Sequence, residues 1–288
     1  MGQQAGALRK LRRSRRQVGK REGVCDCRGR RRPWSWHRHT PDLSDRIAAL
    51  SDRTRMTAPA PRYAVYFTPH PESALWRFGR DVVGYDSYSG GDRAPLVWGP
   101  LADVLAPEHL DEPARYGFHA TLRAPFEPRP EATADALVAF AGRFAAKQQP
   151  VTLPSLVPQR MGGFLALTCP EPPAALAALA AACVTEFEAF RAPLSEADRK
   201  RRLQAKLTAR QLAHLDAWGY PYVHDEFVFH MTLTGRLPPE TAEQALARIA
   251  AAWGPLAGPH RVDAISILEQ PRRDGPFRVL ARLPLGQG

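Results

Sequence analysis

The sequence predicts an α+β fold of two pseudo-symmetric lobes, each with an antiparallel-rich sheet and helices, around a central cleft. Three observations predict it: an internal repeat, the same order of strands and helices in both copies, and a histidine-bearing strand at the same place in each. At an offset of 111, Phe118-His119-Ala120-Thr121-Leu122 aligns with Phe229-His230-Met231-Thr232-Leu233, Pro128 with Pro239, and Val151 and Gln159 with Val262 and Gln270. At an offset of 101, Pro69, Pro71, Ala74 and Leu75 align with Pro170, Pro172, Ala175 and Leu176. An internal duplication constrains architecture more firmly than local propensity does, because it names the supersecondary unit that is repeated. The offsets differ because the second connector is longer by about 10 residues.

Copy one, about 62–160, opens on Arg62-Tyr63-Ala64-Val65-Tyr66-Phe67, an aromatic and β-branched run that reads as a strand over 62–68. A helix over 72–83, a motif strand over 117–124, a helix over 132–147 and a strand over 151–159 follow. Copy two, about 163–285, repeats the order with a strand over 163–169, a helix over 173–190, a motif strand over 227–235, a helix over 239–253 and a strand over 261–270. The helices are read from Ala/Leu-rich periodicity after Thr or Pro-Glu starts. A last strand over 277–285, after the turn Arg272-Arg273-Asp274-Gly275, is expected to pair with 261–270 as a hairpin, as 163–169 does with 151–159. Residues 195–217, with Arg199, Lys200, Arg201, Arg202 and Lys206, read as an additional basic helix inserted in the second connector.

Charge and composition remove several classes. The 288 residues carry a formal net charge of +11, yet 1–55 holds 16 of the 40 Lys+Arg and 5 of the 29 Asp+Glu, which accounts for all of it. Residues 56–288 are therefore neutral, and the protein as a whole is not a polycation. No window reaches the ~18 apolar residues of a membrane span, and the Arg-rich start lacks the apolar stretch of a secretory signal. A cytoplasmic monomer without membrane contact is expected. Cys25 and Cys27 sit in the basic tail, while Cys169 and Cys183 fall in apolar segments and read as reduced core residues, so no disulfide scaffold is present.

The repeated motif carries chemistry. Residues i and i+2 of a strand share a face, so His119 with Thr121 and His230 with Thr232 each present an imidazole beside a hydroxyl, while Ala120, Leu122, Met231 and Leu233 point into a core. If an approximate two-fold axis relates the copies, the four polar groups converge on one cleft. A phosphodiester needs this set: one imidazole to take a proton from water, one to give a proton to the leaving oxygen, and two hydroxyls for the non-bridging oxygens. Histidine suits both roles near neutral pH. A single His-x-Thr would more often be structural; two at equivalent repeat positions, each framed by Phe and Leu, favour catalysis. A metal site built on His224, Asp225, Glu226 and His230 lacks a ligand signature such as His-Glu-x-x-His, as does one built on Cys25, Cys27, His37 and His39. No Gly-x-Ser-x-Gly elbow, P-loop or dinucleotide glycine fingerprint occurs.

The segments Tyr116-Gly117-Phe118-His119-Ala120-Thr121-Leu122-Arg123-Ala124-Pro125-Phe126 and Phe227-Val228-Phe229-His230-Met231-Thr232-Leu233-Thr234-Gly235 resemble the 2H phosphoesterase superfamily, named for its two His-x-Ser/Thr motifs. The flanking residues and the opening strand are similar to the subfamily found in bacterial phosphonate-utilisation operons, and the likeness covers about 62–285. It implies a bilobal α+β fold and hydrolysis of cyclic phosphates or 2′-linked phosphodiesters without metal or cofactor. His119, Thr121, His230 and Thr232 would form the catalytic set. The subfamily implies a small-molecule cyclic phosphate from carbon–phosphorus bond breakdown, such as phosphoribosyl 1,2-cyclic phosphate. The alternatives are an RNA-end 2′,3′-cyclic or 2′-5′ phosphodiesterase and, from another class, a non-catalytic RNA-binding protein using the tail and the 199–206 cluster. Salt separates these, since tail-dominated binding weakens steeply as salt rises.

Three further residues are substrate-binding candidates. On an unbroken strand Arg123, at i+2 from Thr121, shares the cleft-facing side and would hold a second phosphate. Tyr116 and Tyr222 precede the motif strands and would stack on a ribose or base, although core packing is the commoner role of such residues. Arg115, Arg160, Arg236 and the 199–206 cluster are weaker candidates, since charge runs are usually solvated faces.

The tail over 1–55 has little apolar periodicity and repels itself over 28–32, so it is expected to be disordered, with Met56 as an alternative start. Removing 1–55 should leave melting temperature and small-substrate kinetics unchanged, because both motifs lie within 62–285. A fall of several degrees would defeat that expectation, since ~1 kcal/mol moves the midpoint by about 2–4 °C at this size.

Overall fold

Arg62–Phe67 forms β1, buried at all six positions, so both faces of its aromatic and β-branched run are covered. The computed structural model describes residues 61–91 and 97–286; the tail, Met56, Cys25, Cys27, His37 and His39 lie outside the described residues. After β1 come α1 (Ala74–Val83), α2 (Asp111–Tyr116), β2 (Ala120–Phe126), α3 (Ala134–Lys147), β3 (Val151–Leu153), β4 (Val157–Met161) and β5 (Phe164–Thr168). Then follow α4 (Ala174–Glu186), α5 (Glu196–Arg202), α6 (Ala209–Trp218), β6 (His230–Thr232), α7 (Pro239–Trp253), β7 (His260–Val262), β8 (Ala264–Gln270) and β9 (Arg278–Pro284). Helix and antiparallel strand are mixed throughout, and the fold class is α+β.

Seven strands make one antiparallel sheet in the order β4-β5-β6-β2-β1-β8-β9, and β3 pairs with β7 in a separate ladder. Helices cover one face of the large sheet: α4 lies on β2, α7 on β4 and β5, and α3 on β8 and β9. The core sits between these layers. Strand alternation sends Val65, Phe67, Leu122, Met231, Leu165 and Ile267 into it, while Ala64, Tyr66 and Leu268 gather with Phe277 on the opposite face.

Three details differ from the expected arrangement. Beyond the expected β4–β5 hairpin, β8 of copy two also pairs with β1 of copy one, so both copies contribute to one large sheet. The expected strands over 151–159 and 261–270 each divide between the two sheets, with Pro154, which has no N–H to donate, at the first break. The basic segment 195–217 is also two helices rather than one. Thr208 accepts from the Gln211 backbone while the Gln211 side chain accepts from the Thr208 backbone, a capping box that starts α6 afresh.

The two copies meet at positions the sequence offset relates. The junction of β2 with β6 is the bridge Ala120–Met231, and the small ladder contains the pair Val151–Val262; both pairs are 111 residues apart. Antiparallel pairing of equivalent residues is what a local two-fold axis requires.

The segment leading into the first motif is held by close packing. Phe118 is fully buried against α1 at Gly79, where a Cβ would stand 2.1 Å from the Phe118 ring. Gly79→Ala should therefore destabilise the protein by ~1–3 kcal/mol, the usual cost of overpacking. Thermal unfolding should show the midpoint lowered by several degrees; an unchanged midpoint would mean that α1 shifts freely.

Candidate active site

The bridge Ala120–Met231 sets the geometry of the site. Continuing its antiparallel register one step each way puts Thr121 opposite His230 and His119 opposite Thr232, all four on the face away from the Ala120 and Met231 side chains. Directly opposed Cβ atoms in such a pair lie about 4.5–5.5 Å apart. The four side chains line one cavity of about 360 Å³.

Both imidazoles are held in the same way. His119 Nδ1 donates to the Gly117 carbonyl at 2.8 Å and His230 Nδ1 donates to the Val228 carbonyl at 2.9 Å. A carbonyl can only accept, so each neutral ring carries its proton on Nδ1 and leaves Nε2 for other partners. Thr121 Oγ1 lies 3.2 Å from His119 Nε2 and donates to it. Gly117 reaches this position with a φ of 72°, and a Cβ there would meet Ser87 at 2.9 Å, so the turn requires glycine.

The two rings differ in surroundings. His119 stacks on Tyr66 with centroids 3.8 Å apart and planes at 17°. Tyr66 is buried and stands opposite Thr121 in the β1–β2 register. His230 has Phe164 tilted beside it at 6.0 Å. Burial pushes the His119 imidazole down to about 4; the hydrogen bond to Gly117 opposes this and the neighbouring His230 adds to it. His119 is therefore neutral around pH 7.

The expected substrate contacts divide. Tyr116 lines the cavity and stacks on Phe277 at 5.5 Å. Tyr222 lines an adjoining recess of about 400 Å³ that shares Thr121, Phe164 and His230 with the first cavity, and it packs edge-on against Tyr220. Arg123 is not at the cavity. A bulge in the β1–β2 pairing lies between Thr121 and Arg123, so the alternation that would keep Arg123 on the motif face is broken. Its guanidinium is buried, donating to the Val184 carbonyl and to Glu188, and it lies over the Phe126 ring.

The cavity recruits other cations. Arg62, Arg201, Arg202 and Arg236 line it, against the single carboxylate of Glu112. Arg62 and Tyr66, at i and i+4 on β1, and Tyr220 after α6 were not among the sequence candidates. The alternation of β1 beside the motif strand was the signal that could have found the first two. Among the described residues no three His, Cys, Asp or Glu side chains are grouped to hold a metal. Asp225 instead pairs with Arg210 and His214 at 3.0 and 2.8 Å.

A family profile described as "Protein of unknown function (DUF1045)" matches residues 121–278. The chain belongs to the DUF1045 family. Two curated proteins resemble this DUF1045 chain, both named ribose 1,5-bisphosphate phosphokinase PhnN. That of Janthinobacterium sp. (strain Marseille) is 35% identical over 238 residues, 79% of this chain and 51% of the relative. That of Laribacter hongkongensis (strain HLHK9) is 34% identical over 220 residues, 76% and 50% respectively. The chain thus spans about half the length of the curated relatives it matches. Among solved structures, E. coli LigT complexed with NADP+ aligns at 14% identity and a TM-score of 0.38, covering 79% of this chain and 99% of that one. A structure titled only as a phosphoesterase aligns at 15% with the same TM-score and coverage. No helix among the described residues is long and apolar enough to cross a membrane.

The depressed His119 makes a stability prediction. Between pH 6.5 and about 4 the unfolded chain binds a proton that the native ring refuses, so stability should fall as pH falls through that window. His119→Gln should flatten the slope. Melting temperature against pH for the two proteins tests this, and parallel curves would contradict the buried neutral ring.

Proposed function

We propose that the protein is a cyclic phosphodiesterase that works by two-histidine acid–base catalysis, with no metal or cofactor. The observation that carries this reading is the square of His119, Thr121, His230 and Thr232 around one strand bridge, on one cavity, with both Nδ1 atoms committed to carbonyls. His119, neutral at pH 7, acts as the base: its Nε2 takes a proton from water as the water oxygen bonds to phosphorus. His230 gives a proton to the oxygen whose bond to phosphorus breaks. The threonine hydroxyls donate to the non-bridging oxygens, where charge builds in the transition state.

The substrate we assign is 5-phosphoribosyl 1,2-cyclic phosphate. Adding water across its P–O2 bond leaves ribose 1,5-bisphosphate, the compound in the names of the curated relatives, whose full length is about twice the matched region. The reaction would thus supply the substrate for which those kinases are named, which supports a role in phosphonate breakdown. The cation-rich lining suits a polyanion. A second reading, cleavage of RNA ends carrying 2′,3′-cyclic phosphate, draws on the recess beside His230, whose walls include Phe164, Tyr220 and Tyr222 and would stack a base.

Parallel assays of the full chain on 5-phosphoribosyl 1,2-cyclic phosphate and on 2′,3′-cyclic nucleotides test both readings. His119→Ala and His230→Ala should each lower turnover by at least ~10²-fold, the scale of a general acid or base, with circular dichroism unchanged. Near-normal turnover by either variant would refute the mechanism, and preference for the nucleotides would transfer the assignment to RNA ends.

A further inference from the structure

The cavity has two chemically different ends. Tyr66 stands opposite Thr121 at the motif end, whereas Arg62 lies four residues away on the same face of β1, roughly 13 Å along the strand at about 3.3 Å per residue. The Arg62 guanidinium is buried and, among the described residues, donates only to the neutral Gln270 side chain, which is itself held by donation to the Gly275 carbonyl at 2.7 Å. Arg202 faces the same cavity from α5. Its guanidinium lies 5.0 Å over the Tyr220 ring and makes no hydrogen bond among the described residues, and its Nε is buried without a partner. Two arginines with no carboxylate partner among the described residues thus line one cavity. Asp198 is already engaged, binding Arg201 at 2.8 Å and Arg273 at 2.7 Å, and Glu112 on the cavity lining pairs with neither Arg62 nor Arg202.

The placement of Arg202 is built into the fold. Its helix is short, but Ser195 caps it and the Asp198 carboxylate accepts both arms of the Arg273 guanidinium, at 3.0 and 2.7 Å. Arg273 also reaches Glu127, just beyond β2, so the inserted helix is pinned to the strand that carries the first motif. Arg202 is half-buried, and its buried Nε without a partner is unfavourable unless an anion completes the group; guanidinium geometry matches two phosphate oxygens at once.

We infer that Arg62 and Arg202 form a subsite for a terminal phosphate monoester, separate from the motif end, so that the enzyme selects cyclic phosphates bearing a second phosphate on the same small molecule. The inference rests on the proposed reaction for its substrate, but the subsite has a readout of its own. The monoester carries more charge and fewer substituents than the cyclic diester, so it draws more from two unpaired arginines. Selectivity therefore arises at a wall that takes no part in proton transfer.

The test compares 5-phosphoribosyl with ribosyl 1,2-cyclic phosphate, and ribose 5-phosphate with ribose, on the full chain. Wild type should favour the phosphorylated member of each pair, the first by kcat/KM and the second by calorimetric binding. Arg202→Gln should cut both preferences at least ~10-fold, Arg202→Lys should restore part, and Arg199→Gln, whose native guanidinium pairs with Asp216 outside the cavity, should alter neither. Preferences unchanged in Arg202→Gln, or loss of ribose 5-phosphate binding in Thr121→Val but not in Arg202→Gln, would overturn the subsite. Selective ribose 5-phosphate binding without turnover of either cyclic phosphate would instead refute the hydrolase reading and leave the subsite standing.

Discussion

The arrangement turns on one backbone bridge. Ala120 and Met231 are the sole paired residues between β2 and β6, and through them the two halves of the large sheet become one surface. Both side chains are fully buried on the helix-covered face, which turns their neighbours to the other side. A slip of one residue at this junction would exchange core and cavity on one strand, removing a histidine and a threonine from the cavity together. The core packing of Ala120, Met231, Leu122 and Leu233 therefore also specifies the relative placement of the proposed acid and base.

Around that bridge the symmetry is local and its departures are chemical. Both imidazoles use the carbonyl two residues upstream, but a glycine turn supplies the first and an exposed valine the second. Tyr66 closes over His119, whereas Phe164 only leans beside His230. Equivalent backbones thus carry inequivalent rings, and at His119 burial disfavours the charged form.

Much of this was legible from sequence because repeat and alternation are local signals. The offset of 111 located both histidines and also named the residues that meet at the bridge and in the small ladder. The β4–β5 hairpin was legible from adjacency in the chain, but the pairing of β8 with β1 was not, since repeat similarity says nothing about which sheet edge a strand joins. Arg123 was misplaced because a bulge changes the alternation without marking the sequence, so the phosphate ligand expected there became a buried partner of Glu188. Arg62, Tyr66 and Arg202 acquire meaning only once β1 lies beside β2 and the inserted helix is anchored by Asp198 and Arg273. These are contacts between residues distant in sequence, and no periodicity within one segment encodes them.

Strand exchange bears on how such a molecule can be divided. Cutting the chain after β4 would leave β1 without its β8 neighbour and would leave β4 with no β5 to join, so each fragment would display bare ladder edges of the kind that recruit another chain. A single-copy fragment would complete its sheet by trading final strands with a second copy of itself. The product would be a two-fold homodimer with the same bridge at its axis and two identical histidines facing one cavity. Joining two such units in one polypeptide frees the rings from being identical, and the present chain, with Tyr66 stacked on one ring and Phe164 tilted beside the other, has the form such a fusion permits.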